Sequence, residues 1–453
     1  MNLKKVTIGN FKCFQAENEI ELGKLTLLTG ANSSGKSSII YSILGAIQSG
    51  EFPFQFSTNG KYVNMGDFRE VVHNHNRKEK IILGFEFEGD SQLKIETVWV
   101  EDEINKLPKL FELKAEDVFF NLSIKASEKD FTVDFDYNPF KDSLRDSLTR
   151  QILKSIGHLA SNIELSQKQN LEILSSNLLA DFNSQQIARN ILIDKIPNFN
   201  GEKLISEKGL ISLRHLFDII PNQMIYFDEK INFISSSRLA PDRTYLEQTK
   251  TKLKVQNNGE GYLDQIISWE SKNKEKLVEL VSILKDLNLL FSIKSKRLDG
   301  GRFEIAVQTK EGGVETSLTD VGFGISQFLP ILVADLQLPN SSTLFVAQPE
   351  IHLHPSVQSS FGDYLMNQIK TKDKNYVIET HSEYLLNKIR LGIVKGTIKE
   401  EDVKILFVDN EGVDNIIHKI EFTKQGQILN APDNFFKTYM MDVMEIAINA
   451  ATD

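Results

Sequence analysis

A single cysteine, Cys13, occurs among the 453 residues, which excludes an internal disulfide framework. Long apolar runs are missing too. No window approaches the ~18 uninterrupted apolar residues of a membrane-spanning helix. The opening Met1-Asn2-Leu3-Lys4-Lys5-Val6-Thr7 also lacks the core of a signal peptide. Both absences point to the cytoplasm and away from a membrane-embedded transporter subunit. The balance of charge is −10, so the chain has no general attraction for phosphate backbones, and nucleic-acid contact would need a local basic patch. Arg69 with Arg77, Lys78 and Lys80, or Lys294, Lys296, Arg297 and Arg302, are the candidates, and both read as solvated faces. No internal repeat or low-complexity tract appears. What remains is an ordinary composition, 41% hydrophobic and 25% charged, enough to bury a substantial core in about two to four domains.

The strongest local signal is Gly30-Ala31-Asn32-Ser33-Ser34-Gly35-Lys36-Ser37, which meets the pattern G-x-x-x-x-G-K-[ST] at every fixed position. It follows the apolar strand Lys24 to Thr29 and leads into Ser38 to Leu44, which reads as a helix. In that setting glycines let backbone N–H groups wrap phosphates and the helix start adds positive partial charge. Lys36 reaches the β/γ-phosphates and the Ser37 hydroxyl meets Mg²⁺. The pattern predicts ATP or GTP binding.

Around this loop the chain reads as β-rich to about residue 138. Ile81 to Glu88, Gly89-Asp90 and Leu93 to Trp99 alternate apolar and polar positions on both sides of a turn. Val118 to Lys125 and Phe131 to Tyr137 look like a second strand pair. Leu144, Leu148, Ile152, Ile156, Leu159 and Ile163 then recur at helical steps, and Leu171, Leu174, Leu178 and Phe182 continue them. A helical insertion is therefore expected to about 220, followed by the arginine-bearing loop Ser235 to Arg243 and an amphipathic helix near Asp264 to Leu290.

The second half carries Leu344-Phe345-Val346-Ala347-Gln348-Pro349-Glu350, a buried strand ending in polar residues with the layout of a Walker B segment. Upstream, Asp320 to Gln327 forms a glycine-rich turn opening a helix to Leu338. Downstream, Asn375 to Thr380 is a strand ending at His381-Ser382. In this order the motifs resemble the ABC-type ATPase head of the SMC, RecF and OLD (overcoming lysogenization defect) ATPases. The nearest likeness is to OLD-like bacterial ATPases with a small C-terminal domain. Ile8 to Phe14 resembles the family's first strand and turn, and Val63 to Asn74 a segment common in its bacterial members. Asp409-Asn410-Glu411-Gly412 and Gly426 to Phe436 resemble its ending.

The resemblance implies an α/β fold: an ABC-type head, a mixed or parallel phosphate-loop sheet with an antiparallel β lobe, interrupted by a helical insertion. It assigns 1–138 and 223–400 to the two halves of the head, 139–222 to the insertion and 401–453 to a small cap. An arm of two ~25-residue helices would project only about 40 Å, too short for a chromosome-organising coiled coil. The resemblance implies ATP with Mg²⁺, held by Gly30, Ala31, Asn32, Ser33, Ser34, Gly35, Lys36, Ser37, Ser38 and Lys12, with Ser37 on the metal. It further implies a head-to-tail homodimer in which Gly322, Gly324, Ser326 and Gln327 of one copy complete the other copy's site. His381 becomes the sensor of the γ-phosphate. ATP then closes the dimer and hydrolysis opens it, because the γ-phosphate is a ligand that both copies share.

One position departs from that pattern. The family ends its Walker B strand in an acid that holds Mg²⁺ through water, and here Ala347 stands in its place. Gln348 follows where a water-orienting glutamate is usual. An amide positions water but is a poor base, which leaves Glu350 as the substitute. Either the ATPase is naturally slow or inactive, or a glutamate was replaced to trap the ATP-bound state. The intact remainder of the machinery favours replacement.

Three further patterns read as decoys. His352 and His354 have the spacing of a metal pair on a strand but lack a third ligand. His73-Asn74-His75 spells a nuclease signature without its partners. Phe407 to Asp414 is similar to a Toprim strand end, but no D-x-D follows, and a β-hairpin fits better. Two functions survive. One is the sensor ATPase of an anti-phage defence system resembling Gabija, Septu and PARIS, with a separately encoded effector, a nuclease or other toxin. The other is a DNA-repair ATPase resembling RecF that clamps duplex DNA. The missing nuclease domain and short insertion favour the first, and the acidic charge counts against the second.

Overall fold

The computed structural model describes residues 2–89, 92–117, 120–126, 131–137, 210–246, 254–411, 414–433 and 435. Most of the expected helical insertion, 138–209, lies outside them, as do Gly412 and Phe436. Its final stretch is described, within a helix that begins at Leu210. The elements in chain order begin with β1 (Asn2–Gly9), β2 (Asn18–Glu21), β3 (Leu25–Gly30), α1 (Lys36–Gln48) and α2 (Phe68–Val71). Next come β4 (Ile81–Glu88), β5 (Leu93–Glu101), β6 (Pro108–Asp117), β7 (Phe120–Ala126), β8 (Phe131–Tyr137) and α3 (Leu210–Glu229). They continue with β9 (Ile231–Ile234), β10 (Tyr245–Leu246), α4 (Tyr262–Lys272), α5 (Lys274–Asp286), β11 (Ser292–Leu298), β12 (Arg302–Gln308) and β13 (Thr316–Ser317). The last are α6 (Phe323–Gln337), β14 (Thr343–Ala347), α7 (Pro355–Lys372), β15 (Asn375–Glu379), α8 (Glu383–Val394), β16 (Val403–Glu411), β17 (Asp414–Phe422) and β18 (Ile428–Leu429).

Two compact units result. The first comprises Met1–Phe11, Gly45–Gly60 and Asn64–Phe227. Its antiparallel strands run β1-β4-β5-β6-β7-β8. The alternation along β4 and β5 buries Leu83, Phe85, Ile95 and Trp99 on one face. Phe52 meets Phe85 edge-on at 5.2 Å, and Phe56 lies 5.7 Å from Trp99. Burying a phenylalanine of this kind contributes about 1.5–3 kcal/mol.

The second unit comprises Lys12–Leu44, Lys61–Val63 and Asp228–Asp453. Its sheet runs β18-β17-β16-β3-β15-β14-β9. From β16 to β9 the strands are parallel, whereas β17 and β18 are antiparallel. Every residue of β3 is buried, as a central parallel strand with both faces covered requires. A smaller antiparallel sheet runs β10-β12-β11, with β13 on β12.

Two expectations are corrected here. The phosphate loop belongs to the same compact unit as the second half of the chain, and β16 pairs directly with β3. Residues beyond 401 therefore begin as a strand of the central sheet, not as a separate cap, because β3 needs a hydrogen-bonding partner on each side. The periodicity from Asp264 to Leu290 is two helices, since Asn273 (φ −146°) breaks the run and caps α5 by accepting from the Lys276 N–H.

A buried polar cluster ties α6 to the strands beneath it. Lys374 Nζ lies 3.0 Å from Asp335 Oδ1, with side chains 2% and 0% exposed. The hydroxyls of Tyr376 and Tyr364 both donate to Asp335 Oδ2, the former at 3.0 Å. Removing one partner strands the other charge. Asp335→Ala should destabilise the second unit by about 3–5 kcal/mol, read as a lower urea midpoint. A change below about 1 kcal/mol would show the cluster to be dispensable.

Candidate nucleotide site

The loop between β3 and α1 requires glycine at two places. Gly30 and Gly35 hold φ of +132° and +97°, values that L side chains rarely adopt. Space agrees: a Cβ on Gly30 would stand 2.1 Å from the Val408 carbonyl oxygen, and one on Gly35 2.2 Å from Cys13 Sγ. Lys12 (φ +51°) leads into Cys13 and Phe14, which pack beneath Gly35. Ala31, Asn32 and Ser33 form an exposed rim, while Ser34 and Ser38 are buried. The Ser34 hydroxyl is buried without a partner, and its carbonyl accepts from the Asn415 side chain.

Lys36 is folded onto the loop. Its Nζ donates to the carbonyl oxygens of Ala31 at 2.6 Å and Gly30 at 3.2 Å. Burial pulls its pKa down, against the charges of Glu379 and Glu350. These carbonyls are weak competitors for a triphosphate, so an ammonium already over the loop fits one.

Glu379 is the residue that sequence reasoning misses. It ends β15, and its Oε2 accepts the Ser37 hydroxyl at 2.6 Å. The cause is sheet order: β15 separates β3 from β14, so β15 is the strand that delivers an acid beside the loop. The parallel register sets Glu379 between Leu28 on β3 and Ala347 on β14. Ala347 supplies no side-chain oxygen, yet Ser37 already has a carboxylate. The available signal is that Glu379 is an acid closing an apolar strand, two residues before the histidine. Ser37 and Glu379 together are an oxygen pair suited to a hard divalent cation.

Glu350, expected from the sequence as the substitute base, is tied to the turn after β15. Its Oε1 accepts the His381 N–H at 2.7 Å and its Oε2 the Thr380 hydroxyl at 2.9 Å. Burial pushes its carboxyl up, and those hydrogen bonds oppose the shift. His381 follows β15 and is only partly covered. Burial first, and then the charge of Lys36, hold its imidazole below the usual range, hence neutral at pH 7. Gln348 (φ +47°) donates its N–H to the Glu379 carbonyl oxygen at 2.7 Å.

The glycine turn is divided. Gly322 is exposed at the start of α6, and Gly324 lies so close to the His352 carbonyl that a Cβ would stand 2.2 Å from it. Ser326 and Gln327 are buried instead. The Ser326 hydroxyl donates to the Phe323 carbonyl at 2.8 Å, and Gln327 Nε2 to the Leu239 carbonyl at 3.0 Å. Their side chains hold the helix in place, leaving the two glycines as the outward part. His352 lies edge-on to exposed Phe323 at 5.1 Å, and His354 caps α7. Among the described residues no cluster of three or more His, Cys, Asp or Glu could hold a metal ion. His73-Asn74-His75 is a single tight turn.

A phosphate loop ending the central strand of a largely parallel sheet, with a histidine ending the next strand, defines a P-loop ATPase with the ABC-type head fold. The family described as an AAA ATPase domain matches residues 1–386, and the chain belongs to it. Among solved structures it is similar to the SMC head domain from Thermotoga maritima, with 12% identity, a TM-score of 0.36, and coverage of 93% of this chain and 100% of that one. It is also similar to the Pyrococcus furiosus Smc head domain with an extended coiled coil bound to the C-terminal domain of ScpA. There the identity is 11%, the TM-score 0.36, and the coverage 98% and 99%. No curated protein matches the chain. No helix among the described residues is long and apolar enough to cross a membrane.

Glu379→Gln keeps the shape and removes the charge. It should raise the Mg²⁺ concentration needed for half-maximal ATP binding by about tenfold, measured by titration with a fluorescent ATP analogue. An unchanged Mg²⁺ requirement would remove Glu379 from the site.

Proposed function

We propose that this chain is an ATP-gated switch, the sensor subunit of an anti-phage defence system that holds or releases a separately encoded effector. The observation that carries the ATP part is the Ser37–Glu379 contact at 2.6 Å, beside Lys36 and His381. When bound, Mg²⁺ and ATP supply the bond to be cleaved and the charge that screens it. Lys36, now on two loop carbonyls, would hold β/γ-phosphate oxygens. Ser37 and Glu379 would hold the cation. Neutral His381 offers a hydrogen bond at the γ-phosphate position, and the exposed start of α6 at Gly322 presents N–H groups to a phosphate on a second copy. Hydrolysis is slow, because Gln348 cannot take a proton and Ala347 brings no carboxylate.

The defence role is supported by the resemblance to OLD-like ATPases. The net charge of −10 disfavours a clamp on duplex DNA. Stoichiometric co-purification of an enzyme encoded by the neighbouring gene would support this role. Tight, salt-dependent, ATP-gated binding of duplex DNA by the chain alone would replace it with the repair reading.

Light scattering should show the mass doubling when ATP is added, and Lys36→Ala should abolish the change. A mass independent of ATP would sink the dimer. Ala347→Glu places a second carboxylate beside Glu379 and should raise turnover by about 10²-fold; an unchanged rate would show that residue 347 is not the limiting position.

A further inference from the structure

Arg238 stands in the loop after β9 and is buried, 8% exposed. Its guanidinium is spent on main-chain carbonyls. Nε donates to Ser235 at 3.0 Å, Nη1 to Gln327 at 2.9 Å, and Nη2 to Gln348 at 2.6 Å and Ala347 at 3.2 Å. Three elements meet on this one group: its own loop, α6 and the end of β14. Burial pulls its pKa down to about 10, opposed by the charge of Glu350. Burying a cation among carbonyls is costly, and an apolar side chain would pack there at less cost. The planar fork does what packing cannot, which is to hold several acceptors at set directions.

Two of the acceptors adjoin special backbone positions, a proline in α6 and the left-handed Gln348. Pro330 in α6 has no N–H, so the Ser326 carbonyl has no helical donor. The Gln327 carbonyl beside it receives Arg238, and Gln327 Nε2 returns a bond to Leu239. Gln348 is held at φ +47°, a conformation that a non-glycine residue leaves when released. Its N–H is fixed by the Glu379 carbonyl, and the Glu379 side chain accepts from Ser37. Linked residues thus run from Ser37 through Glu379, Gln348 and Arg238 to Gln327, five residues after the α6 N-cap at Gly322.

We infer that Arg238 is a positioning residue that couples the occupant of the phosphate loop to the glycine turn at Gly322 to Gly324. A shift of Glu379 toward a cation alters the hold on Gln348. Arg238 passes that displacement to α6, whose exposed start is the part offered to a second copy. The inference rests on the loop being an ATP site, and it does not require the dimer.

Two variants test it. Arg238→Lys keeps a cation but loses the fork, and Arg238→Met keeps the approximate volume without charge. Thermal melting establishes which of them fold. Hydrogen exchange over residues 320–328 is then followed with and without ATP and Mg²⁺, at a concentration where light scattering shows monomer. In the unsubstituted chain nucleotide should slow exchange there by about tenfold. In the folded variants this response should vanish while the Kd for ATP stays within about threefold. The proposal is overturned if a folded variant keeps the response, if ATP affinity falls by the same factor as the response, or if the unsubstituted chain binds ATP without one. A chain that binds no ATP removes the site reading and this inference with it. A chain that binds ATP but never dimerises sinks only the dimer.

Discussion

The second unit depends on a strand that cannot be left at an edge. β3 is buried along its whole length, so its N–H and C=O groups must find partners on both sides. β15 meets one side and β16 the other, both in parallel. Parallel pairing brings the ends of these strands together, so the phosphate loop, the Glu379-Thr380-His381 turn and the β16–β17 hairpin share one end of the sheet. The site follows from this alignment. Gly30 must be glycine because the backbone of β16 lies against it, and Ser37 meets Glu379 because β15 stops level with the loop.

What the sequence shows and what it hides divide along range. The phosphate loop was legible because its chemistry is local: the spacing of Gly30, Gly35, Lys36 and Ser37 between an apolar strand and a helix admits few other readings. The β4–β5 hairpin was legible for the same reason, its alternation being complete within a few residues of the turn. Glu379 was not, because its importance comes from pairing with residues near position 28, and no local period records which parallel strand lies next to which. Ser326 and Gln327 occupy motif positions expected to meet a second copy, whereas α6 buries both side chains. The break at Asn273 was obscured by apolar positions that continue in phase on either side of it.

Buried charges in this unit are satisfied in three ways, which suit three kinds of work. Asp335 and Lys374 neutralise each other within a ring of tyrosine hydroxyls, a closed arrangement that fastens α6. Arg238 is answered by carbonyl dipoles from separate elements, so its position follows theirs. Lys36 borrows the carbonyls of its own loop, an arrangement that gives way to stronger acceptors. Permanence falls in that order, from the core of the sheet toward its open end.

The flanking of β3 has a consequence for how the protein is made. The strand that precedes the phosphate loop is synthesised early, but its two neighbours begin only at Asn375 and Val403. Until both have emerged, an apolar segment stands with open hydrogen-bonding edges, exposed to other chains and to chaperones. Contacts so distant along the chain also form slowly. Nucleotide-binding competence should therefore arrive late in synthesis, and a nascent chain lacking β16 would carry the whole loop signature with one edge of its strand still unpaired.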